Sequence, residues 1–301
     1  MPGFLTHYLM GQGLKNCLTG ESKRIIDENE KLFSLGCQGP DIFFYYFPGL
    51  LYKHTRGLGD VMHGSNLGVF ILDLASQCCD AKNEAVFAYT CGYVCHYVLD
   101  SNTHPYVYAR TATEGSKTKN SADHRQFETA IDILMLKILL GKKPNDLTHV
   151  KLIKAPKASL KATAHSVSSA IATVYGRAIS RSQTYSALKF MQLFTRLLQT
   201  KKGRRKKLLR FIEKITIHEP LFSSMMHDQD TNLDVLNLEK LEYAAPWEGA
   251  KTESYSFTEY FDKSVEQAAK ICKTLFDYVY AEQDETKLAG VLGNRSLKTG
   301  I

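Results

Sequence analysis

From Ala88 to Tyr108 the chain reads AYTCGYVCHYVLDSNTHPYVY, an apolar and aromatic run that sets His96, Asp100 and His104 at successive steps of four. On an α-helix that step puts side chains on one face, with Cβ atoms about 5–6 Å apart. Imidazole and carboxylate so spaced can grip one metal ion, as the two histidines of an H-x-x-x-H pair do. A lone histidine on an apolar helix is more often a hydrogen-bonded core residue, so the stretch decides nothing alone. Pro105 disfavours helical geometry at the residue before it, which predicts a helix end around Asp100–Asn102 and His104 projecting from the exit loop. Gly92, one turn before His96, costs roughly 1 kcal/mol in a helix interior and predicts the close approach of another segment.

A second pair tips the balance towards metal. His124 and Glu128, in SADHRQFETAID, repeat the four-residue step. Asp132 follows one turn later, where it either orients a metal-bound imidazole or faces water. His7 lies near the start of a helix predicted over residues 4–18, and His63 on an amphipathic helix over 60–79. Asp41 stands between the Gly39-Pro40 turn and the aromatic run from Phe43 to Tyr46, as a helix cap or as a ligand. Imidazole mixed with carboxylate suits zinc, and also manganese or iron. Cys91 and Cys95 flank His96 but read as packing residues, because thiolate ligands favour a closed structural site.

The rest of the sequence predicts helices in series. Ser22 is placed to cap a helix running to Leu35, which Gly36 ends. A central helix spans 83–101, a polar stretch spans 110–120, and a helix spans 121–140. Two helices broken near Pro156 follow, then one over 183–199 and one over 208–217. Residues 218–255 are rich in turns, Ser256 and Glu259 form a capping box for a last long helix, and the segment after Thr286 is polar. No run alternates with period two, and no Asn-Gly hairpin turn occurs. The expectation is an all-α fold, with residues 1–301 forming one domain.

Six of the formal +7 charges sit in Lys201–Lys207, so the remainder of the chain is close to neutral. Such a cluster is either a solvated link between helices or a contact for anionic lipid or nucleic acid. No apolar run reaches the roughly 18 residues that a membrane span needs. The first residues lack the basic and apolar regions of a secretory signal, and the cysteines number seven with no C-x-x-C pair. A cytoplasmic location with reduced thiols is expected.

GPDIFFYY, the histidine of VMHGSN, CHYVLDSNTHPYVY and DHRQFE occur in that order and resemble the zinc-dependent phospholipase C family. That family includes the helical catalytic domain of clostridial alpha-toxin and a secreted Bacillus enzyme acting on phosphatidylcholine; fungal single-strand nucleases are similar more distantly. The resemblance implies a first zinc held by Asp41, His63, His96 and Asp100. It implies a second held by His104, His124 and Glu128, and a third bridged by Asp100 and bound by His7. In the secreted relatives an exposed N-terminal Trp completes that third site, where this chain has Met1-Pro2.

The implied activity is phosphodiester hydrolysis, with a phospholipid as one possible substrate. A zinc-bound hydroxide would attack phosphorus, with Asp41 as ligand and proton acceptor. Two rivals share the pattern: a nuclease or small-molecule phosphodiesterase on the same scaffold, and a non-catalytic helical protein that zinc only stabilises.

Overall fold

The computed structural model describes residues 3–112, 117–200, 203–216, 218, 220, 222–228, 230–231, 234–247 and 252–301. Its helices are α1 (Phe4–Cys17), α2 (Gly20–Glu28), α3 (Glu30–Gly36), α4 (Leu58–Gly64), α5 (Leu67–Ala81), α6 (Glu84–Thr111) and α7 (Lys117–Leu140). They continue with α8 (His149–Ile153), α9 (Lys157–Tyr175), α10 (Arg181–Leu198), α11 (Arg204–Thr216), α12 (Phe257–Tyr280) and α13 (Glu285–Leu292). Among the described residues the sole extended pairing is an antiparallel bridge between Tyr243 and Glu253, so the fold is all-α. One cluster of buried apolar side chains runs from Leu5 to Leu297.

Helix α6 is the axis of the molecule. Asn83 starts it by accepting the N–H groups of Ala85 and Val86 at 3.1 and 3.2 Å. Tyr89, Tyr93, Tyr97 and Tyr106 are fully buried along it, with α3 and α12 its principal neighbours. Gly92 has the role its position predicts. A Cβ there would collide with the Phe33 carbonyl, and one on Gly36 with the Tyr89 carbonyl. The backbones of α3 and α6 therefore nearly touch, which delivers the turn after α3 to His96.

Several boundaries differ from the sequence expectation. Helix α6 does not stop near Asn102 but runs through Pro105 to Thr111. An interior proline costs about 3 kcal/mol. Tyr106 and Val107 are buried just beyond it, each burial contributing about 1.5–3 kcal/mol, and the Tyr106 hydroxyl donates to the Val235 carbonyl at 2.8 Å. Tertiary packing wins, and His104 sits on the helix rather than in a loop.

Ser22 lies inside α2 and caps nothing; the predicted helix to Leu35 is broken at Asn29. The predicted 60–79 helix is likewise two, parted by Ser65 and by Asn66 at φ 60°. The break near Pro156 and the capping box of Ser256 and Glu259 are present. Of the polar stretch, Arg110 and Thr111 end α6 and residues 117–120 begin α7, while 113–116 lie outside the described residues. Arg204–Lys207 form the first turn of α11 rather than a link, and Lys201 and Lys202 lie outside the described residues. The segment after Thr286 completes α13, which ends at Leu292, and residues 293–301 then fold back over α4 and α6.

Candidate metal centre

Five elements bring the eight predicted side chains together. Helix α1 carries His7, the single turn of 3-10 helix Gly39–Phe43 carries Asp41, and α4 carries His63. Helix α6 carries His96, Asp100 and His104, and α7 carries His124 and Glu128. Three groups of potential ligand atoms form: His7, His96 and Asp100; Asp41, His63 and His96; His104, His124 and Glu128. Within each group the atoms lie within 4.8 Å of one another.

Asp100 links the buried part. Its Oδ1 is 3.2 Å from His7 Nε2, and its Oδ2 is 3.2 Å from His96 Nε2 and 4.0 Å from His63 Nε2. Asp41 Oδ1 lies 3.2 Å from His63 Nε2 and 3.9 Å from His96 Nε2. Asp41 thus serves as no helix cap but points into the cluster. Glu128 Oε1 is 2.8 Å from His124 Nε2.

The buried atoms fit a cation and little else. Nε2 of His7, His63, His96 and His104, Oδ1 of Asp41 and both oxygens of Asp100 are buried without a hydrogen-bond partner. Each unsatisfied buried polar atom costs about 1–3 kcal/mol, more when charged. Tetrahedral ligands about 2.0–2.1 Å from an ion stand about 3.3–3.4 Å from each other, close to the separations around Asp100 and Asp41. The donor set, imidazole with carboxylate, is one that zinc takes.

Main-chain carbonyls hold the imidazoles in place. Nδ1 of His63 is 2.6 Å from the Gly59 carbonyl, Nδ1 of His96 is 3.2 Å from that of Cys37, and Nδ1 of His104 meets that of Leu297. A proton on each Nδ1 leaves Nε2 with a lone pair for the ion. Leu297 acts twice, since its N–H also donates to the His63 carbonyl at 3.0 Å. Nothing in the sequence marks this carbonyl, because any residue offers one. Deleting residues 293–301 is expected to weaken metal binding at His104 by roughly 10–100-fold, the usual loss of an orienting partner. Zinc titration of metal-free protein by calorimetry would test it; unchanged affinity at every site would refute the role.

Protonation states agree with this reading. Burial pushes the His104 pKa down to about 3 and that of His124 well below the usual imidazole range. Burial, helped by the charge of His96, also lowers His7. Burial alone would lower His96, but Asp100 and Asp41 outweigh it and raise the pKa. Asp100 would be raised by burial, yet His96, His104 and His7 hold it well below the carboxylate range. Ionised Asp100 beside neutral His7, His104 and His124 is the form that binds metal.

A cavity of about 710 Å³ opens onto the cluster, with Asp41, His63, His104, His124 and Glu128 in its wall. His7, His96 and Asp100 lie behind that wall, fully buried. Asp132 takes neither role that its position in the sequence suggests. Its carboxylate accepts the N–H groups of Leu5 and Thr6 at 2.9 and 2.7 Å, the Thr6 hydroxyl at 2.6 Å and His227 Nε2 at 2.7 Å. It caps α1 and so fixes His7, one residue beyond Thr6. His227, His149 and Arg125 also line the cavity. None of them stands in the four-residue step that marks His96 with Asp100 and His124 with Glu128.

Fold and site together define a helical protein that gathers eight imidazoles and carboxylates into three groups able to hold metal, five of the eight in the wall of a cavity. The chain belongs to the zinc-dependent phospholipase C family, whose model matches residues 6–183 and so spans all eight. Neither a search of curated proteins nor one of solved structures finds a match. Among the described residues no helix is long and apolar enough to cross a membrane.

Proposed function

We propose that the protein is a zinc-dependent phosphodiester hydrolase of the phospholipase C type. The observation that carries this is the convergence of the eight side chains where the cavity wall meets the core. Asp41, His63, His96 and Asp100 would hold one ion and His104, His124 and Glu128 a second. Asp100 and His7 would share a third. Bound divalent ions neutralise the phosphodiester and lower the pKa of a water from 15.7 towards roughly 7.

The chain's own groups supply the rest. Asp41, at the cavity wall beside His63, is assigned to accept the proton of the attacking water. Arg125 faces the same cavity, held by Ser224 Oγ at 3.2 Å and Ser121 Oγ at 2.5 Å, and offers a fixed cation to an anionic substrate. Phe44, Tyr45 and Phe222 make an apolar wall that suits a lipid ester better than a free phosphate. Peripheral contact with anionic surfaces through the basic run is a separate proposal, independent of the hydrolytic one.

Chelation is expected to abolish turnover of p-nitrophenylphosphorylcholine, and added zinc to restore it. Bis-p-nitrophenyl phosphate and single-stranded DNA serve as competing substrates. Metal-dependent cleavage of DNA in preference to the choline ester would make the protein a nuclease. Zinc bound without turnover of any of the three would leave only a stabilising role for the metal.

A further inference from the structure

Helix α11, RRKKLLRFIEKIT, presents its apolar side to solvent. Leu208, Phe211, Ile212 and Ile215 fall at i, i+3, i+4 and i+7, the stripe that a surface helix normally turns to the core. Here they are 62%, 63%, 46% and 61% exposed. The face turned inward is led by Glu213, only 2% exposed. Its carboxylate accepts the N–H of Phe222 at 2.6 Å, and the N–H and hydroxyl of Ser223 at 3.2 and 2.5 Å. Lys206 is tied on the same side to Asp228 at 2.7 Å. The helix is therefore bolted down by its polar side, and its orientation is not a matter of chance.

The charges match the stripe. Arg204, Arg205, Lys207, Arg210 and Lys214 are exposed, and the helix's sole acid is the buried Glu213. A nucleic-acid surface would use these cations but has no use for four exposed aliphatic and aromatic side chains. A bilayer uses both: the apolar stripe enters the boundary between headgroups and acyl chains, while long basic side chains reach back to the phosphates.

We propose that α11 is an interfacial helix that docks the protein on anionic lipid bilayers. The docking does not depend on the hydrolytic reading, because none of these residues touches the metal cluster. It does set the cavity at the membrane. Phe222, held by Glu213, lines the cavity, as do Thr195 and Leu198 of α10, the helix that also exposes Leu193 and Leu197.

Co-sedimentation of the intact metal-loaded protein with vesicles tests this. Binding is expected to vesicles of phosphatidylcholine containing phosphatidylserine, to be weaker to phosphatidylcholine alone, and to fall with salt. Phe211→Ser with Ile215→Ser should lower the affinity by roughly tenfold or more through lost apolar burial. Lys207→Glu with Arg210→Glu should lower it by roughly 30-fold, at about fivefold per cation removed. Turnover of a soluble diester should be unchanged in both variants, which keeps failure of docking separate from failure of the active site. Three outcomes would overturn the proposal. One is no phosphatidylserine-dependent binding by the parent protein. Another is undiminished binding by the doubly serine-substituted protein, which would mark a plain cationic patch. The third is a dimer, seen by sedimentation equilibrium, that dissociates in that variant without any vesicle binding.

Discussion

Asp100→Ala is expected to empty the buried half of the metal cluster and to lower phosphodiester turnover by about 10³-fold or more. Asp100 is the carboxylate that reaches both sides of the buried cluster, one oxygen facing His7 and the other facing His96 and His63. Losing it would take away the carboxylate proposed to be shared by two ions, and removes the negative charge that raises the His96 pKa. Metal ions supply several kcal/mol of transition-state stabilisation, and each 1.36 kcal/mol is tenfold in rate. Zinc quantification by mass spectrometry should show fewer ions per chain, and the thermal midpoint of the loaded protein should fall, since bound metal stabilises only the native state. Asp100→Asn keeps the shape without the charge and should fall between the parent and alanine. Full metal content and full turnover in Asp100→Ala would rule out the bridging role.

Much of this centre is legible in the sequence alone, and for a physical reason. A four-residue step on a helix fixes two side chains locally, so His96 with Asp100 and His124 with Glu128 announce themselves in one dimension. Gly92 is legible too, because only a close neighbour repays a glycine in a buried helix. What stays hidden depends on partners distant in sequence. Pro105 signals a helix end, yet burial of Tyr106 and Val107 overrides it. Asp132 gives no sign that it caps a helix more than a hundred residues earlier. Leu297 acts through its carbonyl, which no side-chain pattern reveals. The basic run leaves a solvated link and an anionic contact both open, because a helix predicted over 208–217 does not say which of its faces is turned inward. Only the exposure of its apolar residues shows which way α11 faces.

His124→Ala and Glu128→Ala probe the other half of the site, and the expected contrast with Asp100 is the sharper test of the mechanism. Both side chains stand in the cavity wall, where a substrate phosphate can reach an ion bound there; Asp100 lies behind it. Removing either would take away one of the three side chains proposed to hold that ion, so turnover should again drop by about 10³-fold. Stability should respond differently. His124 keeps 16% of its side chain accessible and Glu128 8%, so water from the cavity can solvate whichever partner remains. The metal-free variants should match metal-free parent protein in helical content, and in unfolding free energy to within about 1 kcal/mol. Zinc analysis should show one ion lost while those near Asp100 remain. Collapse of the fold in these variants would make the pair structural. Retained turnover in both would place the chemistry elsewhere in the cavity, with the His227–Asp132 pair the next group to mutate.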